Sequence, residues 1–136
     1  QGFTKTMNDS RVLVSFRDDA PLIIGDVSAD LTADANLLAE FREQVLSRIH
    51  AGSASGPAAL LLNFEQVRYL SSLALSELIR IRETVQQNGG ALRLCGVSTD
   101  VHTVFALTKL DDEFSVRPKE DVERAVERFK PGGGVG

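Results

Sequence analysis

Residues 58–62 read AALLL, and this unbroken apolar run constrains the fold more than any other stretch. A strand with one wet face alternates apolar and polar side chains. A run that is apolar on both faces is buried on both faces, the mark of a central strand in an α/β sheet. Such a strand needs helices to cover it, and the chain supplies them. Residues 65–70 lead into a helix whose Ala74, Leu78, Ile81 and Val85 form one stripe, broadened by Leu75 and Ile79. Arg80, Arg82, Glu83, Gln86 and Gln87 fall largely outside that stripe, and Asn88-Gly89-Gly90 ends the helix.

The flanking segments extend the same pattern. Residues 11–16 (RVLVSF) alternate and predict a half-buried strand. Asp18, Asp19, Ala20 and Pro21 predict a turn into a short strand over 22–24 that ends at Gly25. So tight a connection requires antiparallel pairing, because a parallel crossover needs about a dozen residues or more. Thr32 or Asp34 is expected to cap a helix carrying Leu38, Phe41, Val45 and Ile49 on one side. That helix should stop near residues 50–52, before the loop AGSASGP.

Residues 91–95 (ALRLC) predict another strand, turned at Gly96. Ser98, Thr99 or Asp100 then caps a third helix lined by Val101, Val104, Phe105 and Thr108. A short strand over 114–116 and a helix over 119–129, with Val122, Ala125, Val126 and Phe129 inward, complete the chain. The order is β-β-α-β-α-β-α-β-α: one α/β domain with a mixed, mostly parallel sheet and about four helices. The domain is expected to span residues 11–130, with 1–10 a flexible lead-in and 131–136 (PGGGVG without its lysine neighbour) a flexible tail. The chain opens on Gln1, and Met7 is expected to lie closer to a native start.

Bulk properties narrow the function classes. At 136 residues the chain can bury a core unaided. A net charge of −4 counts against nucleic acid or an anionic membrane surface as partner, since both need a basic face. No apolar run approaches a bilayer span. The single Cys95 makes no internal disulfide, and a cytoplasmic location is the expectation. His50, His102 and Cys95 are too scattered for a metal site, and no cofactor is expected. The chain has no Gly-rich phosphate loop ahead of a helix and no G-x-S-x-G nucleophile elbow. Cys95 closes an apolar strand and reads as a small buried hydrophobe, while Asp111, Asp112 and Glu113 read as a solvated loop. No set of residues reads as catalytic, so the protein is expected to bind rather than to catalyse.

Ser71-Ser72 sits between the central strand and its helix. Serine at a helix start is ordinarily a cap. It is also, at the carboxyl end of a strand, a place where α/β proteins put ligands and sites. A phosphate there adds roughly −1.5 to −2 charges. The helix N–H groups and dipole tolerate that charge, so the fold survives while the surface changes sign.

At these residues the sequence resembles the STAS domain family of bacterial anti-sigma factor antagonists and sulfate-transporter tails. The resemblance runs from about residue 11 to 129 and is most specific over 62–78, LNFEQVRYLSSLALSEL. The family signature is an apolar strand, Asn or Asp, then Phe-φ-Asp-Ser-Ser-Gly-Leu running into the helix, φ being apolar. Asn63 and Phe64 match the strand end, and Tyr69-Leu70 match Phe-φ. Ser71 falls at the aspartate, Ser72 at the family's phosphoacceptor serine, Leu73 at the second serine, Ala74 at the glycine and Leu75 at the leucine. Gly25-Asp26 resembles the family's Gly-Glu-Leu-Asp stretch.

The resemblance implies a switch. An unphosphorylated antagonist binds an anti-sigma factor, often a serine kinase, and frees a sigma factor; phosphorylation ends the binding and a phosphatase resets it. Carried over, Ser72 is the acceptor, with Ser71 supporting or alternative. The partner face is Gly25, Asp26, Leu70, Leu73, Ala74, Ser76, Gly96 and Ser98. Ser72 is also a candidate helix cap when bare. Two further readings stay open: a STAS scaffold or sensor module without phosphorylation, and a binder of a small ligand or nucleotide at the strand ends.

Overall fold

The computed structural model describes residues 13–19, 22–28, 30–31, 33–51, 59–117 and 120–129. The expected lead-in and tail lie outside the described residues. The strands are β1 (Val14–Asp19), β2 (Leu22–Val27), β3 (Ala59–Asn63) and β4 (Ala91–Cys95). The helices are α1 (Ala35–Ala51), α2 (Ser72–Gln87), α3 (Thr99–Leu107) and α4 (Val122–Phe129). They run β-β-α-β-α-β-α-α in a four-stranded sheet of order β1-β2-β3-β4. β1 pairs antiparallel with β2, whereas β2–β3 and β3–β4 are parallel, which gives the mixed α/β architecture expected.

β3 is an interior strand, as its apolar run requires: Leu60, Leu61 and Leu62 are at most 1% exposed. The strand period of two sends alternate residues to opposite faces. On one face Ile23, Leu60, Leu62, Leu92 and Leu94 join the main core. There they share one cluster with Leu38, Phe41, Val45 and Ile49 of α1, Leu78, Ile81 and Val85 of α2, and Val101 and Phe105 of α3. On the other face Leu61 and Cys95 pack with Ala125 of α4, bordered by Val122, Val126 and Phe129.

The structure differs from the sequence reading at several boundaries. β1 starts at Val14 and continues through Asp18 and Asp19, which the sequence placed in a turn. As the first strand of the sheet β1 tolerates these charges, and Asp19 pairs with Leu22 to close the hairpin. Ala20 and Pro21 lie outside the described residues. β2 does not end at Gly25 but runs to Val27. A Cβ at Gly25 would meet Leu62 Cδ2 at 2.9 Å, Val14 Cγ1 at 3.0 Å and Phe16 Cε1 at 3.1 Å, so glycine answers a close approach inside the strand.

No strand forms over 114–116. Residues 111–115 are a turn, with Ser115 at φ 54° and Val116 N–H donating to Asp111 O at 2.8 Å. Phe114 still reaches the core, edge-on to Phe105 with ring centroids 5.5 Å apart. Phe114 and Val116 are buried around a half-buried Ser115, so this turn carries the apolar-polar-apolar alternation of a short strand. α4 begins at Val122 with Asp121 Oδ1 accepting from Arg124 N–H at 2.9 Å; Lys119 lies outside the described residues. Asp34 caps α1, its Oδ1 accepting from Asn36 N–H at 2.9 Å and Leu37 N–H at 3.2 Å, and Thr32 lies outside the described residues.

Candidate functional site

The chain leaves β3 at Asn63 and crosses the carboxyl end of the sheet before α2. Phe64, Val67 and Leu70 of this connector are buried and Glu65, Gln66, Arg68 and Tyr69 are exposed. Apolar anchors three residues apart therefore hold it down. Phe64 N–H donates to Cys95 O at 2.8 Å, and Val67 N–H donates to Phe64 O at 2.9 Å. Asn63 is 7% exposed and its Nδ2 donates to Asp26 Oδ1 at 2.9 Å, while its Oδ1 accepts from Glu65 N–H at 3.2 Å. Asp26 is paired with Arg17 (Nε to Oδ2, 2.9 Å). Arg17, then Asn63, hold the Asp26 carboxyl below its usual range against the opposing effect of burial.

The end of the connector is fixed from the side by residues 30–31. Leu31 N–H donates to Tyr69 O at 3.1 Å, and Ser71 N–H donates to Leu31 O at 2.9 Å. Asp30 Oδ1 accepts from Arg68 N–H at 2.6 Å and from Tyr69 N–H at 3.3 Å. Ser71 is extended (φ −80°, ψ 163°) and is the N-cap of α2: its Oγ accepts from Ala74 N–H at 3.0 Å. Sequence reasoning offered Ser72 as a possible cap. The structure gives that task to Ser71, because its hydroxyl faces the free N–H groups while Ser72 already has helical geometry.

Ser71 and Ser72 thus part company. Ser71 is 6% exposed with its hydroxyl engaged; Ser72 is exposed on the first turn, and no described residue holds its Oγ. Tyr69 and Leu73, at 54% and 44% exposure, flank Ser72 as large apolar groups open to solvent. The first turn of α2 carries no acidic residue.

Of the residues expected to face a partner, Gly25, Leu70 and Ala74 lie inside and act as packing. Leu73 and Ser76 are exposed, with Ser76 Oγ donating to Ser72 O at 3.3 Å. Asp26, Gly96 and Ser98 are half-buried at neighbouring strand ends. Ser98 caps α3, accepting from Val101 N–H at 3.2 Å. Gly96 has φ +67° and donates its N–H to Glu120 O at 2.7 Å. The sequence reading missed Tyr69 as an exposed site residue and Asp30 as a partner of the connector. The spacing of Phe64, Val67 and Leu70 would have placed Tyr69 outward; nothing local pointed to Asp30.

An open cleft of about 410 Å³ lies beside the connector, lined by Ser28, Asp30, Glu65, Gln66 and Arg68. Two carboxylates against one guanidinium suit an anionic ligand poorly. Among the described residues no group of His, Cys, Asp or Glu is arranged to hold a metal ion. Burial, and secondarily the Glu120 charge, push the Cys95 thiol up to about 12, which leaves no thiolate at neutral pH. No described helix is long and apolar enough to cross a membrane.

The sequence model of the STAS domain family matches residues 23–125, and the chain belongs to this family. Solved structures repeat the fold at low identity. The Thermotoga maritima protein TM1081 is 17% identical with a TM-score of 0.73, over 87% of this chain and 95% of that one. An anti-sigma-factor antagonist (STAS) domain protein from Planctomyces limnophilus is 17% identical with a TM-score of 0.66, over 86% and 97%. The Bacillus cell fate determinant SpoIIAA in its phosphorylated form is 15% identical with a TM-score of 0.63, over 86% and 99%. No curated protein matches the sequence.

Proposed function

We propose that the protein is an anti-sigma factor antagonist: it binds an anti-sigma factor that is also a serine kinase, and phosphorylation of Ser72 ends the binding. The observation that carries this reading is the position of Ser72. Its hydroxyl is exposed and uncommitted at the start of α2, between the exposed Tyr69 and Leu73, where the STAS signature has its phosphoacceptor. A phosphate there adds about −1.5 to −2 charges to a helix start that also exposes Tyr69 and Leu73. A partner surface complementary to the bare hydroxyl must then desolvate a dianion. The α2 fold absorbs the charge because its first turn holds no acid and its dipole favours an anion.

Ser71 stands where the signature has aspartate, and its cap geometry supports rather than opposes the reading. Aspartate and serine are both strong N-cap residues, so the exchange keeps the cap while removing a charge. In this role the protein is substrate and ligand of the kinase, works in the cytoplasm, uses no cofactor of its own and is reset by a phosphatase.

Incubation with MgATP and the serine kinases encoded beside its gene tests this. The expected product carries one phosphate, mapped to Ser72 by tandem mass spectrometry and absent from Ser72→Ala. Phosphate on none of the serines, or on another one, would sink the proposal and favour a scaffold that binds without modification.

A further inference from the structure

We infer that Asp30, in the segment between β2 and α1, is the positioning residue that presents Ser72. The role it serves rests on the function proposed above; the clamp itself rests on geometry alone. Residues 68–71 belong to no named strand or, before Ser72, to any helix. Their N–H groups therefore need partners from elsewhere. Asp30 supplies them for Arg68 (2.6 Å) and Tyr69 (3.3 Å) through the same oxygen. Leu31 then takes over, its N–H donating to Tyr69 O and its O accepting from Ser71 N–H. The next bond in the series is the Ser71 cap on Ala74 N–H. Asp30, Leu31 and Ser71 thus form a continuous line of hydrogen bonds ending at the turn that displays Ser72.

Only the first bonds of that line are charge-assisted, which makes them its strongest members. The Arg68 side chain adds little: it is 85% exposed and 3.5 Å from Asp30 Oδ2. Leu31 and Leu70 are buried at the bridge between the two segments, so the line is anchored in the core beneath it. Release of Asp30 frees the Arg68 and Tyr69 N–H groups, lets the exposed Tyr69 swing out, and loosens the Ser71 N–H bond that sets the cap. The serine pair would remain in sequence, but Ser72 would be presented by a mobile turn instead of a fixed one.

Amide hydrogen exchange by NMR on the full chain decides the clamp. In Asp30→Ala, exchange at Arg68, Tyr69 and Ser71 should quicken about tenfold or more, with Leu62 and Ile81 unchanged as markers of an intact fold. Asp30→Asn keeps an acceptor oxygen and should restore exchange to within about threefold of the parent. With the kinase, Ser72 phosphorylation of Asp30→Ala should fall about tenfold through kcat rather than KM, since presentation of the hydroxyl is lost and not the docking surface. Parent-like exchange in Asp30→Ala overturns the clamp. Faster exchange with unchanged phosphorylation overturns the positioning role. If the parent protein itself takes no phosphate on Ser72, the proposed function falls and the exchange result still decides the clamp.

Discussion

The chain passes from β3 to α2 and from β4 to α3 at the same end of the sheet, and the two junctions begin alike. Each uses an extended serine as N-cap: Ser71 Oγ accepts from the N–H three residues on at 3.0 Å, and Ser98 Oγ does so at 3.2 Å. One residue later each has an exposed hydroxyl, Ser72 and Thr99, and they differ at the next position, Leu73 in one and Asp100 in the other. α3 carries Asp100 in its first turn, so the positive end of its dipole already has a carboxylate. α2 has no acid there, and its Ser72 lies in sequence between the exposed Tyr69 and Leu73. The α3 junction is tied behind the sheet by Gly96 N–H to Glu120 O, whereas the α2 junction is held from the side by Asp30 and Leu31. One helix start already carries a carboxylate; the other carries none and is held from the side.

The largest effect should come from breaking the α3 junction at Gly96. Its φ of +67° strains any L side chain by about 1–2 kcal/mol. A Cβ would also meet Asn63 Oδ1, Glu65 Cγ at 2.7 Å and Glu65 N at 3.0 Å. Gly96→Ala should therefore lower unfolding stability in urea by about 2–4 kcal/mol. A loss under about 1 kcal/mol would show that this turn relaxes easily and is not a fixed counterpart to the α2 junction.

The caps come next. Ser71→Ala removes a buried hydrogen bond and should cost about 1–2 kcal/mol, Ser98→Ala about 1, and Ser72→Ala under about 0.5. Equal losses for Ser71→Ala and Ser72→Ala would erase the division of labour within the serine pair.

A smaller effect should appear on acidification. Hydrogen bonds from the Arg68 backbone, and then the nearby Arg68 charge and Tyr69 backbone, hold the Asp30 carboxyl below its usual range against slight burial. A depressed folded pKa contributes stability that is present above the unfolded value of about 3.9 and is lost as pH falls through the folded value. Urea midpoints measured downward from pH 5 should therefore fall less steeply in Asp30→Asn than in the parent, about 3.9 marking where the difference begins to close. Parallel curves would mean the carboxylate is not engaged in solution.

Smallest of all, Ser72→Asp should stabilise the fold by about 0.3–1 kcal/mol at low ionic strength and lose that gain in salt. Thr99→Asp should gain less, because Asp100 is already beside it. An equal gain at the two helix starts would remove the electrostatic difference between the junctions.

What was legible in the sequence was whatever local periodicity encodes. The β3 run, the stripes of α1 and α2 and the STAS signature over 62–78 led to the fold directly. Phe114 misled because a buried aromatic in a turn looks, in one dimension, like one in a short strand. The extent of β1 and β2 depended on pairing between strands, which local pattern does not contain. Within the site, the serine pair was visible but its asymmetry was not. Both residues are serine, and only the geometry of the helix start turns Ser71 inward and leaves Ser72 in solvent. Asp30 was invisible for a related reason: it acts on backbone groups 38 and 39 residues away.

The central claim is that charge on Ser72 decides whether the partner binds. Calorimetric titration of the kinase-type partner with the unphosphorylated chain, the Ser72-phosphorylated chain and Ser72→Ala tests it most directly. Ser72→Ala should bind within about twofold of the unphosphorylated parent, and the phosphorylated chain about tenfold more weakly or worse. Equal affinity of the phosphorylated and unphosphorylated chains would contradict the claim.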